Sequence, residues 1–267
     1  MRRIGLAALL LPVLGMAVLA AAPGAAADPG AAGALAPTGT LRLGLVRGPQ
    51  AGVFFVAPGP DGALRGVTAA LGAAIGAALG LPVTQVVFPN SGECTEAVAS
   101  GAVDLAFMPV DPARSARVAF GPAYAAIEST YLVSAASGIG ALAEVDRPGR
   151  RVVGIADTTT IRAAGRSLSA VKPQPVRSVA EAVALLRDGG ADALALSRDS
   201  LEQIAPTVPG SRILAGGFQR TTVSAAVPPG RPGALEAATA LLARLKRDGT
   251  VARAFDALGL SREALAP

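Results

Sequence analysis

The sequence predicts an α/β protein of two similar lobes, each a mixed sheet flanked by helices, joined by two extended crossover strands. Three observations carry this. Short apolar runs alternate with stretches of helical spacing along most of the chain, the pattern of β–α units. A helix–glycine–strand unit occurs twice. Glu96-Ala97-Val98-Ala99 leads through Gly101 into 102–106, and Glu181-Ala182-Val183-Ala184 leads through Gly189-Gly190 into 191–195, with Asp104 and Asp192 near the strand starts. Two extended runs, 129–134 and 221–227, flank the second unit and suit a double crossover, the geometry of a hinge.

The elements follow in order. Arg2 and Arg3 precede an uncharged apolar run over 4–22 that ends in Ala25-Ala26-Ala27 before Asp28, the layout of a secretory signal peptide. An uncleaved anchor is the rival, since the run is long enough to span a bilayer. Pro12, Gly15, Pro23 and Gly24 favour cleavage after residue 27. No cysteine stands there to carry a lipid, so the expected location is the periplasm. Residues 28–38, rich in Ala, Gly and Pro, read as a linker. Lobe one is expected over 39–131, lobe two over 132–224, and a return to lobe one over 225–267.

Within this frame, 40–46 alternates Leu41, Leu43 and Leu45 as a first strand, and 54–57 suits a short strand before the P-G-P-D-G turn. Leu64, Val67, Leu71, Ile75 and Leu79 keep helical spacing, though Gly72 and Gly76 each weaken such a helix by about 1 kcal/mol relative to alanine. Residues 83–88 form the next strand. In the second lobe 151–156 is a strand, a helix starts near Ile161, and Ser178 with Glu181 makes a capping box. Helices over 232–246 and 251–258 close the chain.

Composition excludes several classes. There is no histidine, which removes imidazole catalysis and histidine metal sites together. Cys94 is the only cysteine, so no internal disulfide forms, and it reads as a small buried hydrophobe. The net charge of +5 comes from scattered arginines with few aromatics between them, which does not make a nucleic-acid surface. No metal or cofactor is expected.

Several segments, in order, resemble the family 3 extracellular solute-binding proteins over about residues 39–260. They are G-T-L-R-L-G-L-V, D-G-A-L-R-G-V-T-A-A-L-G-A-A-I, S-G-A-V-D-L-A-F, D-P-A-R, V-A-F-G-P-A-Y, R-R-V-V-G-I-A-D-T-T-T and L-K-R-D-G-T-V-A-R-A-F. The resemblance implies the type II periplasmic-binding fold, a ligand held between the lobes, and a monomer that docks on an ABC transporter permease. It also leaves open a sensing or accessory module, and an enzyme of the cyclohexadienyl or arogenate dehydratase type with Glu128, Asp111 or Asp199 as proton donor.

Arg114, in D-P-A-R just past a strand's carboxyl end, is the leading ligand residue. Its planar fork matches a carboxylate, and the matching family arginine has that role. Thr159 and Thr160, between a strand and a helix start, suit either an anion clamp or plain capping. The family's G-T-T turn then falls on 158–160, with Ile161 where a polar residue follows. Asp111, Phe107, Phe54, Ser197 and Glu128 complete the candidates. Each phenylalanine fits the core as well as a pocket, and Glu128 fits a hinge ion pair as well as the cleft. Apolar residues replace the hydroxyls that precede the arginine loop in amino-acid binders. Ser197 stands where the family places an acid for the ligand ammonium. The expected ligand is therefore a small organic anion.

Overall fold

The protein, a computed structural model, is described over residues 28–47, 54–59 and 61–266; the expected signal peptide lies outside these. In chain order the first half contains α1 (Pro29–Leu35), β1 (Leu41–Val46), β2 (Ala57–Pro58), β3 (Leu64–Arg65), α2 (Val67–Leu79), β4 (Val83–Phe88), α3 (Ser91–Ala99), β5 (Leu105–Pro109), α4 (Pro112–Ser115) and the long strand β6 (Ala119–Val133). The second half contains β7 (Val152–Ile155), α5 (Thr159–Ser167), β8 (Gln174–Val176), α6 (Val179–Arg187), β9 (Ala193–Ser197), α7 (Arg198–Ile204), β10 (Arg212–Ile213) and β11 (Gln219–Val227). Helices α8 (Pro232–Arg247) and α9 (Thr250–Asp256) follow. Among the described residues no helix is long and apolar enough to cross a membrane.

β2 and β3 pair only with each other; the other strands make one continuous sheet in the order β4-β1-β5-β11-β6-β9-β7-β8, with β10 pairing the end of β6. The same five-strand arrangement occurs twice, as β4-β1-β5-β11-β6 and as β8-β7-β9-β6-β10. Each time the first strand lies between the second and third, all parallel, and a strand from the other half enters antiparallel beside the third. Strands β6 and β11 are thus the two crossovers. β6 is longer than the extended run read in the sequence, because Gly121-Pro122 reads as a break. The pairing with β11 slips there, from Ala123↔Ser224 to Phe120↔Ala226, and a bulge takes up the proline that has no N–H to give.

The internal repeat is real, in a different register from the one read above. Asn90 caps α3 and Ser178 caps α6, with Glu93 and Glu181 three residues on. Gly101 and Gly189 end the two helices in the left-handed region at φ 74° and 70°. Glu93, not Glu96, is therefore the partner of Glu181, and the E-A-V-A match is displaced by almost one helical turn.

The acid before the third strand also repeats. A strand-start Asp104 is expected to make local hydrogen bonds, and the structure corrects this: its partner, Arg42, lies far along the chain. Asp104 accepts from the Arg42 N–H at 3.0 Å and from Arg42 Nε and Nη2 at 2.9 and 2.7 Å. Asp192 accepts from the Arg151 N–H and Nη2 at 2.8 Å each. Each lobe thus ties the start of its third strand to the start of its first.

Three local readings change. The expected linker contains α1, started by Asp28, whose Oδ1 accepts from the Gly30 N–H at 2.9 Å; Leu35 is fully buried and the helix packs on α8. The helix expected from Leu64 starts at Val67, and Leu64 belongs to β3. Gly72 lets α2 lie on β1, since a Cβ there would stand 2.1 Å from Leu43 Cδ2. In lobe two the β9 side chains alternate between two cores. Leu194 and Leu196 pack with α6 residues such as Leu186, and Ala193 and Ala195 with Tyr131 and Ala164 on the other face.

Candidate functional site

A cavity of about 390 Å³ lies between the lobes. It is bordered at the carboxyl ends of β1, β4 and β5 by Val46, Pro89 and Pro109, and of β7, β8 and β9 by Ile155, Arg177 and Leu196. Both lobes therefore present the sheet edge at which α/β folds bind ligands.

Arg114 sits on α4, which Pro112 opens and Asp111 caps through Oδ1 to the Arg114 N–H at 3.1 Å. Its side chain is 3% exposed. Nη1 donates to the Pro109 carbonyl at 2.9 Å and to Thr159 Oγ1 at 2.6 Å; Nη2 donates to Ser91 Oγ at 2.5 Å and reaches the Asp157 carbonyl at 3.5 Å. Burial brings its pKa down to about 10, with Asp111 opposing, so it stays charged at neutral pH. Asp111 closes the cluster: Oδ2 accepts from Thr159 Oγ1 at 3.1 Å and from Arg162 Nη2. Burial pushes the Asp111 carboxyl up, but the Arg162 bond, the Arg114 N–H and both guanidinium charges outweigh it, and its pKa lies below the usual value. Two residues of lobe one are thus joined directly to Thr159 and Arg162 of lobe two. Arg114 does not itself border the cavity; Ser91, Pro109 and Thr159, which accept from it, do.

The turn after β7 separates the threonines. Asp157 has φ 59°, the left-handed conformation that favours glycine. Thr158 is the cap, its hydroxyl accepting from the Ile161 N–H at 3.2 Å. Asp157 thus makes the left-handed turn, Thr158 the cap, and Thr159 and Thr160 open α5. Ile161 faces the strand, against Gly154. Capping falls to Thr158, so Thr159 and Thr160 are free for other contacts. Thr160 borders the cavity, is 8% exposed, and its hydroxyl has no partner among the described residues.

The remaining candidates divide. Ser197 borders the cavity and donates to Ser200 Oγ at 2.9 Å. Glu128 does not border it and pairs with Arg198 at 2.5 Å, the hinge ion pair of the two readings above. Phe107 and Phe54 are core residues around Tyr124, with ring centroids 5.5 and 6.3 Å from it. Phe55 is the phenylalanine at the cavity. It is held by Thr68, whose hydroxyl donates to the Phe55 carbonyl at 2.9 Å. Burial raises the Cys94 thiol to about 12, which leaves it inert. Ser91, Arg162, Arg47 and Arg177 were not read from the sequence as site residues. Ser91 and Arg177 each directly follow or precede a helix cap at a strand end, and that position was the available signal. No acidic residue borders the cavity among the described residues.

No curated protein sequence matches this chain. Among solved structures, a solute receptor for L-cysteine of Neisseria gonorrhoeae is 22% identical, covering 89% of this chain and 99% of that one at a TM-score of 0.76. An ancestral amino-acid-binding protein, a precursor of cyclohexadienyl dehydratase, is 23% identical over 82% and 95% at 0.70. A histidine kinase sensor domain with similarity to periplasmic binding proteins is 19% identical over 82% and 95% at 0.71. These likenesses show a shared type II periplasmic-binding fold. The model of one family matches residues 54–258, both lobes and both crossovers, and the chain belongs to the bacterial extracellular solute-binding proteins, family 3.

Proposed function

We propose that the protein is a periplasmic receptor that binds a small carboxylate-bearing solute between its lobes and delivers it to an ABC transporter permease. The observation that carries this is a two-lobed cavity with an arginine clasp at its edge and no bordering acid among the described residues. A carboxylate entering beside Ser91 and Thr159 would replace two neutral hydroxyl acceptors of Arg114 with a charged one, a stronger pairing. The freed hydroxyls and that of Thr160 would then donate to it. Because the clasp draws on both lobes, such a ligand binds the closed form better and favours closure.

The absence of a bordering acid sets this solute apart from an ordinary amino acid, whose ammonium needs one. Binding rather than turnover is supported by all three candidate donors: Asp111 is held ionised by its partners, and Glu128 and Asp199, the latter with a carboxyl pushed up by burial, do not border the cavity. The likeness to a sensor domain supports a second reading, in which the same closure is read by a signalling partner.

Mass spectrometry of small molecules released from protein purified without unfolding would identify the solute. For that solute, Arg114→Ala should weaken binding at least about tenfold by calorimetry, roughly 1.4 kcal/mol. Unaltered affinity would remove Arg114 from the site, and release of neutral or cationic solutes alone would sink the anion reading.

A further inference from the structure

The cavity holds more positive charge than one carboxylate uses. Arg177 follows β8 and borders it from lobe two, apart from the Arg114 clasp that joins β5 to the start of α5. The Arg177 guanidinium has no hydrogen-bond or ion-pair partner among the described residues. Its neighbour Glu181 accepts instead from the Arg177 backbone N–H at 2.9 Å. The capping box thereby fixes the arginine's backbone while leaving its fork unclaimed. Val179 and Ala180 border the cavity beside it with unpartnered backbone N–H groups, since the Ser178 hydroxyl serves Glu181. Arg47 borders the cavity from lobe one, also without a side-chain partner among the described residues. The lining is otherwise largely apolar, with Val46, Phe55, Ile127, Ile155 and Leu196.

We propose that the solute carries two acidic groups on a short, largely apolar skeleton, one held at the Arg114 clasp and the other by the Arg177 fork and the first amides of α6. This rests on the carboxylate reading above and narrows it. Arg177 is then a specificity residue: it separates a dianion from a monoanion of the same shape, because a monoanion gives that exposed fork no charged partner.

The test is calorimetry on the purified protein with succinate, glutarate and adipate, each against the monocarboxylate of equal chain length. At least one dicarboxylate should bind about tenfold or more tighter than its counterpart, the weight of one charge-assisted pair. Arg177→Gln should erase that preference, and Arg177→Lys should restore part of it. Thermal unfolding of the variants without solute checks that they fold. Equal affinity within every pair, or a preference that survives Arg177→Gln, overturns the second acidic group. If monocarboxylates bind and depend on Arg114 in that same experiment, the carboxylate reading stands without it. Silence from both series overturns the carboxylate reading, and this inference with it.

Discussion

Arg114 is where residue-level chemistry was most legible and most incomplete. Its place after a short apolar strand marked it for the cleft, and its type marked it for an anion. What the sequence did not show is that its donors are already engaged by Pro109, Thr159, Ser91 and Asp157, because three of those partners lie far along the chain. Phe54 and Phe55 show the same limit: the two rings pack edge to face with centroids 5.3 Å apart, and only the packing decides which meets the cavity. Tyr124 gives a test at this scale. Its hydroxyl is fully buried with no partner among the described residues, and burial raises its pKa. Tyr124→Phe removes a polar group that costs energy inside, so denaturant unfolding should show equal or greater stability. A loss of more than about 1 kcal/mol would mean that the hydroxyl has a partner.

At the scale of elements, most helices and strands followed from periodicity and caps. α1 was missed because alanine, glycine and proline read as a linker; only its burial against α8 makes it a helix worth keeping. β8 and β10 are too short to show a period. Gly72 and Gly76 looked like weaknesses in α2 and prove to be points of contact, as does Gly66 before it. At Gly66 a Cβ would stand 1.8 Å from the Phe55 carbonyl oxygen, a backbone atom that cannot swing aside. Gly66→Ala should therefore destabilise the protein by about 1–3 kcal/mol, and alanine is also the poorer residue at this helix N-cap. It should also weaken solute binding, because the segment that displaces would carry Phe55 with it. A stable variant with full affinity would show that this contact is loose.

For the whole molecule, the two lobes meet through Asp111 and Arg114 on one side and Thr159 and Arg162 on the other. Arg162→Gln removes the charge partner of a buried carboxylate, so the joined form should lose population to an open one. Small-angle X-ray scattering of the variant without added solute should show a larger radius of gyration. An unchanged radius would mean that the remaining hydrogen bonds hold the lobes together. Acid should act the same way. Asp111 has a depressed pKa in the joined form, so its contribution is complete above the ordinary carboxylate value near 4 and is lost as pH falls through the lower one. Opening should therefore set in below about pH 4 in the parent protein and be weaker in Asp111→Asn. The double-lobed plan was legible from the repeated helix–glycine–strand unit. Its register was not, because alanine-rich helices match at several offsets; the capping residues and the Asp clamps settle it.

The exchange of strands also orders the birth of the fold. Lobe two closes its sheet from 129–213, an unbroken stretch of chain. Lobe one begins earlier, yet its sheet stays open between β5 and β6 until 223–226 arrives to fill the gap. The part synthesised first is completed last. A nascent chain that ends before β11 would therefore expose the inner edges of β5 and β6, and lobe one would become resistant to protease only after almost the entire chain had emerged.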